Sequence, residues 1–316
     1  MASVLVVGET GPDGALTRLS AEVATAARML GEARRIMPGA GADAPAAELA
    51  AYLPTVEVER GVADGATASE IAAVVAGALD GIDVVLLPAS PDGRDLAGVL
   101  SALTGLGVLA NAVGVAAGAE GPVVTHSVFG GKLITEGAFA GGRGIITIRP
   151  NTVTAEALPT AGTVGERTTA PVRAMPVVRV VDRVAAEGAA VSIDDARIIV
   201  SGGRGVGGPD GFALIAELAE LLGGAVGASR AAVDSGWIPY AQQIGQTGKI
   251  VKPQLYLAMG ISGAIQHKVG MQTAGSIVAI NRDPDAPIAD FADVLVVGDL
   301  FEVGRALADQ LRSRSG

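Results

Sequence analysis

A short apolar strand that runs into a glycine-rich turn and then into a helix constrains the fold of this chain more than any other feature. Ile198 to Val200 is a β-branched run typical of a buried strand. Glycines dominate the segment up to Gly208, and from Pro209 onward apolar residues recur at helical spacing. Strand, glycine turn and helix in this order form the unit with which α/β proteins aim backbone N–H groups at a phosphate. The segment therefore predicts an α/β fold and a candidate phosphate-binding turn.

This glycine turn has two interpretations. Gly203-x-Gly205-x-x-Gly208 fits the pattern of dinucleotide-binding turns. The chain contains 45 glycines, however, so a tight turn without any ligand explains these residues about as well. Residues further along the chain have to decide between the two.

The first part of the chain alternates between strand and helix patterns, which predicts a parallel sheet with helices packed on it. The predicted strands are Ser3 to Val7, Thr55 to Val58 and Val84 to Leu87, and the predicted helices are Leu16 to Leu30, Ala44 to Tyr52, Ala68 to Leu79 and Arg94 to Leu103. Arg35 to Ile36 is predicted as no more than a short, poor strand.

After about Ala112 the pattern changes to strands that are separated by glycine turns, with no helix between them. Val123 to Phe129, Lys132 to Phe139 and Gly144 to Ile148 are predicted to form an antiparallel extension of the parallel sheet. Pro150 to Pro176 has little periodicity, so it is predicted to be a long connection.

A domain boundary is expected near Gly188, where strand–helix alternation is about to return. Val177 to Val184 is a last strand candidate before it. The division gives an N-terminal α/β domain, residues 1–187, and a C-terminal domain, residues 188–316, each long enough to bury its own core.

The C-terminal domain is predicted to be a doubly wound parallel sheet. Its predicted strands are Ile198–Val200, Ala225–Gly227, Gln254–Ala258, Ser276–Ile280 and Val294–Val297. Ligands of such sheets bind outside the carboxyl ends of the strands. The residues just past the five strands are glycines or polar residues: Gly202 to Gly205, Ala228 to Arg230, Gly260 to Gly263, Asn281 to Asp283, and Gly298 with Asp299. Five strand ends of this kind favour a nucleotide-like ligand over bare turns.

The end of the second of these strands bears on the type of nucleotide. A standard nicotinamide site has Asp or Glu about 20 residues beyond the glycines, where it binds the ribose hydroxyls. Ser229 and Arg230 stand there instead. Either Arg230 binds a 2′-phosphate, as in an NADP enzyme, or it faces a different part of a different cofactor.

Composition excludes several classes of protein. Hydrophobic residues make up 49% of the chain and charged residues 18%, which excludes disorder. The net charge of −10 and the lack of a basic stripe argue against nucleic-acid binding, and no segment reads as a membrane span. There is no cysteine for a disulfide or thiol nucleophile, and two histidines, His126 and His267, cannot build a histidine-rich metal site. Since Met1 to Gly11 lacks a cationic region, we expect no signal peptide and a cytoplasmic protein.

Several runs in the C-terminal half together resemble the FAD domain of the electron transfer flavoprotein α subunit. They are Val226 to Asp234, Ile244 to Val251, Leu255 to His267 and Ala279 to Ile288, and they cover most of residues 197 to 300 in the family's order and spacing. The N-terminal half resembles the same family more loosely, through Leu86 to Ser90, Gly93 to Leu96, Gly131 to Thr135 and Ile146 to Asn151.

The resemblance implies an FAD-containing electron carrier and a set of cofactor contacts. It implies a heterodimer with a smaller β subunit and no bond-breaking catalysis of its own. Electrons would be received from acyl-CoA-type dehydrogenases and passed to a membrane-linked quinone oxidoreductase or another acceptor. Carried over residue by residue, the cofactor contacts are Arg204, Ser229, Arg230, Ile244, Gly245, Gln246, Thr247, Ser262, Gly263, Ala264, Ile265, Gln266, His267, Asn281, Asp299 and Leu300.

Three of these residues are expected near the flavin ring. A carrier that passes electrons singly has to stabilise an anionic semiquinone, which requires positive charge and hydrogen-bond donors near the ring. Arg230 supplies a permanent cation, unless it only pairs with Asp234 one helical turn later. His267 donates on the carbonyl side of the ring, unless it is merely structural. Thr247 donates toward N5, unless it is a simple turn residue.

The remaining polar residues are expected along the rest of the cofactor. Arg204 and Ser262 are candidates for the pyrophosphate, and Ser262 fits a helix N-cap nearly as well. Gln266 bonds the ribityl chain or the ring, or faces solvent. Asn281 and Asp299 suit the adenosine end, although Asp299 could equally be the N-cap of the last helix.

Two functions of other classes remain as alternatives to the carrier. One is an NADP-dependent oxidoreductase with Arg230 on the 2′-phosphate, which would require a proton-donating residue beside the nicotinamide. The other is a regulatory subunit that binds AMP or FAD without redox turnover. No Ser–His–Asp set, carboxylate pair or metal-ligand spacing stands out in the sequence, which favours the carrier.

Overall fold

The structure of the protein is a computed structural model. The structure describes residues 2–11, 13–131, 133–175, 181, 193 and 196–315. The chain divides into two compact units, Met1–Arg183 and Val184–Gly316. The predicted boundary near Gly188 and the strand candidate from Val177 to Val184 lie almost entirely outside the described residues, so both stay predictions.

The N-terminal unit is built on a seven-stranded sheet in which every neighbouring pair is parallel. The strands are β1 (Ala2–Val7), β2 (Gly31–Pro38), β3 (Thr55–Glu59), β4 (Val84–Pro88), β5 (Val108–Ala112), β9 (Gly144–Ile148) and β10 (Thr163–Arg167), and their order across the sheet is β10-β3-β2-β1-β4-β9-β5. The predicted parallel α/β architecture is confirmed.

Among the described residues four helices cover this sheet, close to the predicted positions. They are α1 (Arg18–Leu30), α2 (Asp43–Leu49), α3 (Ala68–Gly77) and α4 (Pro91–Thr104). The predicted start of the fourth helix at Arg94 is three residues late, because α4 begins at Pro91. The Ser90 side chain accepts from the Gly93 N–H and caps the helix, and proline is well suited to its first turn.

The antiparallel strands form a separate sheet of three, β6 (Gly114–Gly118), β7 (Gly121–Val128) and β8 (Leu133–Ala138). The predicted segments Val123 to Phe129 and Lys132 to Phe139 correspond to β7 and β8. The assignment of Gly144 to Ile148 to this extension is wrong. It is strand β9, it is buried throughout, and it pairs in parallel with β4 and β5 inside the large sheet.

Two predictions about β2 and β10 are also wrong. β2 has eight residues and lies between β1 and β3, near the middle of the sheet. The segment from Pro150 to Pro176 is not a featureless connection, because β10 lies within it and extends the sheet beside β3 in parallel.

Arg35 is the unusual member of the N-terminal core. It pairs in register with Val6 and is completely buried, in line with Ala33 and Met37 on the face that packs against α1 and α2. Nη2 donates to the Ser20 carbonyl at 3.3 Å, whereas Nε and Nη1 have no partner among the described residues. Burial lowers the pKa of this guanidinium well below its ordinary value.

The C-terminal unit contains a five-stranded parallel sheet, as predicted. Its strands are β11 (Ile198–Gly202), β12 (Ala225–Ala228), β13 (Leu255–Met259), β14 (Ser276–Asn281) and β15 (Val294–Val297), in the order β12-β11-β13-β14-β15. The helices are α5 (Phe212–Leu221), α6 (Arg230–Asp234), α7 (Ile265–Met271) and α8 (Leu300–Ser315).

Helices lie on both faces of this sheet, which makes it doubly wound. Leu218 of α5 and Leu300 of α8 belong to the core on one face, and Met271 of α7 belongs to the core on the other. The strand order reverses between β11 and β13, and a doubly wound sheet binds ligands outside the carboxyl ends at such a point. The fold therefore directs attention to the turns that follow β11 and β13.

Candidate functional site

Backbone hydrogen bonds join the residues that follow the five C-terminal strands into one continuous edge. The N–H of Ser229 donates to Gly202 at 3.0 Å, which links β12 to β11. The N–H of Gly203 donates to Met259 at 2.9 Å, which links β11 to β13. Gly260 donates to Ile280 at 3.0 Å, and Gly298 donates to Asn281 at 3.0 Å. The strand-end residues predicted from sequence therefore lie at one edge of the sheet.

The turns after β11 and β13 touch through their backbones. A Cβ on Gly203 would lie 2.7 Å from Cα of Ile261, and a Cβ on Gly205 would lie 2.7 Å from Cα of Gly260. Gly205 also donates its N–H to the Gly260 carbonyl at 2.9 Å. Contact within the chain therefore explains two of the three glycines in the dinucleotide-like pattern. Gly208, the third, has nothing within 4 Å of an added Cβ.

Arg204 lies between these glycines and is exposed, in the 3₁₀ turn Arg204–Val206. A cation that no described residue fixes, beside a backbone turn, suits an anionic ligand group. Its assignment to the pyrophosphate stays a prediction.

A second loop reaches the same edge beside α7. Ile244 donates its N–H to Ala228 at the end of β12, and Gln246 donates its N–H to the Gln266 carbonyl at 2.8 Å. The Ile244 side chain is buried, whereas those of Gln246 and Thr247 are exposed. The Thr247 hydroxyl accepts from the Gln243 side chain at 3.1 Å. The loop thus brings Ile244 to Thr247 next to Gln266 and His267, as their shared assignment to one site requires.

This loop and α7 pack closely because each has a glycine at the point of contact. Gly270 of α7 faces Gly245 so closely that a Cβ on Gly270 would lie 2.5 Å from Cα of Gly245. Gly245 itself has φ of +144°, a conformation that other residues rarely adopt.

Gly270→Ala is accordingly expected to displace the loop that carries Ile244 to Thr247. Alanine favours a helix by about 1 kcal/mol over glycine, but forced overpacking costs about 1–3 kcal/mol. We expect FAD affinity, measured by fluorescence titration, to fall about tenfold. Gly98→Ala in α4 is the matched control, since an added Cβ there meets nothing within 4 Å, and it should leave the affinity unchanged. Unaltered affinity in Gly270→Ala would mean that the loop does not hold the cofactor.

Ser229 supplies a polar atom that the described residues leave without a hydrogen-bond partner. It is the N-cap residue of α6, yet its side chain makes no capping hydrogen bond. Oγ is buried and has no partner within the described part of the chain. Buried hydroxyls are rarely left unpaired, so a ligand atom is a natural partner for this one.

Arg230 forms an ion pair with Asp234, which is the alternative role considered for it in the sequence analysis. Nε lies 3.1 Å from Oδ2 of Asp234, and the two side chains are 64% and 61% exposed. An exposed pair of this type contributes about 0.2–1 kcal/mol, which leaves the guanidinium available to a ligand. The ion pair and the assigned cofactor role are therefore compatible.

His267 is a buried side chain rather than a surface one. It is 6% exposed, and its Nε2 lies 2.9 Å from the hydroxyl of Tyr256, a fully buried residue of β13. Burial lowers the pKa of His267 to about 4, and the Ile244 backbone only partly offsets this effect. The imidazole is therefore neutral at pH 7. The sequence does not predict Tyr256 as a partner of His267, because the only signal is one tyrosine in an otherwise apolar strand.

The segment from Ser262 to Gln266 corrects one prediction. Ala264, and not Ser262, is the N-cap residue of α7, so the capping role weighed for Ser262 is wrong. The side chains of Ser262, Ala264, Ile265 and Gln266 are exposed. Gly263 is buried and fits closely against Ile288, since an added Cβ would lie 2.5 Å from Cα of that residue.

Asn281 and Asp299 have structural partners of their own. The Asn281 amide donates to the Ile261 carbonyl at 2.9 Å, which holds the turn after β13 against β14. Asp299 Oδ1 accepts from the N–H groups of Phe301 and Glu302 at 2.8 and 3.1 Å, so Asp299 does cap α8. Leu300 is buried beneath it. Their assignment to the adenosine end stays a prediction.

The described residues contain neither a membrane-spanning helix nor a cluster of metal ligands. No helix among them is long and apolar enough to cross a membrane. No group of three or more His, Asp or Glu residues in that part of the chain could hold a metal ion.

Comparison with known proteins shows the family. Residues 192–272 match the family described as "Electron transfer flavoprotein FAD-binding domain", and residues 4–180 match the "Electron transfer flavoprotein domain". The chain belongs to the electron transfer flavoprotein α-subunit family. A protein named "Electron transfer flavoprotein subunit alpha" from Mycobacterium leprae is 44% identical over 326 residues, which cover 100% of both chains. Proteins of the same name from Paracoccus denitrificans and Bacillus subtilis are 38% and 37% identical over 98% of this chain, and over 100% and 97% of their own lengths.

FAD, the cofactor expected from the sequence, is thereby confirmed as the cofactor of this family's C-terminal domain. The residues present fit it. The edge offers a buried Ser229 hydroxyl without a partner among the described residues, exposed guanidinium groups at Arg204 and Arg230, and a neutral buried imidazole at His267. These are donors suited to phosphate, ribityl and carbonyl oxygens, and the residue-by-residue assignments remain predictions.

Proposed function

We propose that this chain is the FAD-carrying subunit of a two-subunit electron carrier that works in the cytoplasm. Its relatives are named as α subunits, which supports a β subunit as partner. Acyl-CoA-type dehydrogenases are the proposed electron donors, and a quinone oxidoreductase or another acceptor receives the electrons. The chain performs no bond-breaking catalysis in this proposal.

The observation that carries the proposal is the position of Arg230. Arg230 lies within the range matched to the FAD-binding domain and begins α6 directly after β12, next to Ser229, whose hydroxyl has no partner among the described residues. FAD supplies the redox chemistry, since a flavin accepts one or two electrons. The residues of the chain bind it, hold a permanent positive charge near it and restrict access of water.

The proposal is tested by purifying the tagged chain with its partner and recording visible spectra during stepwise reduction. A yellow two-chain complex in which one-electron-reduced flavin accumulates is the expected result. A complex that retains its partner but holds no flavin would overturn the proposal and favour an NADP enzyme or a regulatory nucleotide-binding subunit.

Arg230→Ala is expected to lower the accumulation of one-electron-reduced flavin much more than it lowers FAD affinity. Removing a fixed positive charge matters most for the anionic state of the ring, so we expect at least a tenfold fall, about 1.4 kcal/mol. Spectra during reductive titration measure it. Asp234→Asn is the matched control, because it removes the ion pair and keeps the guanidinium. Equal accumulation in Arg230→Ala and the unaltered protein would contradict the assigned role.

A further inference from the structure

Tyr256 and His267 form a buried polar pair between β13 and α7. The Tyr256 hydroxyl and the His267 Nε2 atom lie 2.9 Å apart, and the two side chains are 0% and 6% exposed. Their ring centroids are 6.0 Å apart and the planes are tilted by 56°, so the rings do not stack. The contact between them is a single hydrogen bond.

Both partners of this bond are neutral, so one of them donates and the other accepts. Burial raises the pKa of the Tyr256 hydroxyl well above its ordinary value, which keeps the phenol protonated. His267 is neutral for the reason given above, and a neutral imidazole has one N–H and one acceptor nitrogen. The direction of the bond therefore fixes which nitrogen of His267 carries the proton.

The surroundings favour Tyr256 as the donor. The Ser201 side chain lies near the phenol and partly offsets the rise in the pKa of Tyr256, but its Oγ makes no hydrogen bond of ordinary geometry within the described residues, so the phenol proton is left to His267. Near the other side of the imidazole lies the Ile244 backbone, whose effect on His267 is that of an acceptor. An unprotonated Nδ1 would point its lone pair at that acceptor. Within the described residues Nδ1 is buried and makes no hydrogen bond of ordinary geometry.

We propose that Tyr256 is a positioning residue that donates to Nε2 and thereby holds His267 as its Nδ1–H tautomer. The consequence for the cofactor rests on the proposed function. A fixed Nδ1–H, beside the loop from Ile244 to Thr247, is a buried donor that makes no hydrogen bond of ordinary geometry within the described residues, and it suits a carbonyl oxygen of the bound flavin. Tyr256 acts only through His267 and does not touch the cofactor.

Histidine ¹⁵N NMR tests this directly, because the chain contains only two histidines. The full chain is labelled with ¹⁵N-histidine at neutral pH, and His126→Gln leaves His267 as the one remaining signal. We expect the Nδ1–H pattern in the chain alone and after reconstitution with FAD and an unlabelled partner. In Tyr256→Phe, which keeps the ring and removes the hydroxyl, we expect loss of that pattern to the Nε2–H tautomer or to a mixture.

A purely packing role for Tyr256 predicts no change in the tautomer. The proposal is overturned by an Nε2–H pattern in the unaltered chain, or by an Nδ1–H pattern that persists in Tyr256→Phe. The first of these decides even if Tyr256→Phe does not fold. Since the spectrum of the chain alone requires no flavin, this result is independent of the proposed function. In the reconstituted complex, Tyr256→Phe is further expected to shift the reduction potential of FAD, whereas His126→Gln is not.

Discussion

Arg35→Met is expected to stabilise the protein. The guanidinium is completely buried on β2, and only one of its three nitrogens has a partner in the described structure. An uncompensated buried charge costs several kcal/mol, and methionine fills a similar volume among Met37 and Leu49 without that cost. We expect the free energy of unfolding of the N-terminal unit to rise by about 2–4 kcal/mol. Its Tm should rise by roughly 5–10 °C.

Arg34→Met is the control for this substitution. Arg34 directly precedes Arg35 in the same strand and is exposed, so its charge is already hydrated. Its replacement should change stability by no more than about 0.5 kcal/mol. Calorimetry on both variants separates burial of the charge from any general effect of adding methionine. A lower Tm in Arg35→Met than in Arg34→Met would show that the buried guanidinium is compensated.

Acid is expected to destabilise the C-terminal unit through His267. The pKa of this residue is about 4 in the folded chain and near the ordinary 6.5 when the chain is unfolded. Between pH 6.5 and pH 4, His267 therefore binds a proton in the unfolded chain but not in the folded chain. The contribution of His267 is complete above pH 6.5 and is lost as the pH falls toward 4. The loss amounts to about 3 kcal/mol at its limit.

Comparing variants isolates this effect from other groups that titrate in the same range. His267→Gln should flatten the pH dependence of the free energy of unfolding between pH 6.5 and 4, whatever its effect on stability at pH 7. His126→Gln should keep the slope of the unaltered chain. Urea unfolding at a series of pH values measures both. An equal slope in all three proteins would mean that His267 is protonated without leaving its buried position.

The parts of the fold that sequence predicted well are those in which strand and helix patterns are strong. β4 and β11 are apolar runs that end in proline and glycine, β13 is an apolar run directly followed by Gly260, and each was predicted to within two residues. β2 was underestimated because a buried strand is recognised by its apolar residues, and Arg35 is not one. β10 is largely exposed at the sheet edge, so it carries no apolar pattern at all.

Insertion of the antiparallel sheet explains the error at β9. Pattern reasoning groups a strand with its neighbours along the chain, and β9 follows β7 and β8 after a glycine turn. In the structure β9 lies between β4 and β5. Its complete burial is the one feature that distinguishes it from a strand of an exposed hairpin.

The site was predictable at the level of strand ends and less so at the level of side chains. The rule that ligands bind at carboxyl ends brought Ser229, Asn281 and Asp299 to one edge, and the structure agrees. Packing decides which of the polar atoms at this edge already have hydrogen-bond partners within the chain. In the part of the chain that the structure describes, Asp299 caps a helix, Ser262 caps none, and the Ser229 hydroxyl has no partner, although sequence treats all three as similar polar residues.

The backbone contact between the turns after β11 and β13 limits how this protein could be re-engineered. The backbones of Gly260 and Ile261 leave no room for a side chain at Gly203 or Gly205, whether or not a ligand binds there. The two turns therefore pack as one structural unit, although they come from distant stretches of the chain. Exchanging one turn with that of another protein, to change the nucleotide it accepts, would leave its counterpart with the wrong shape. A successful graft has to move both together.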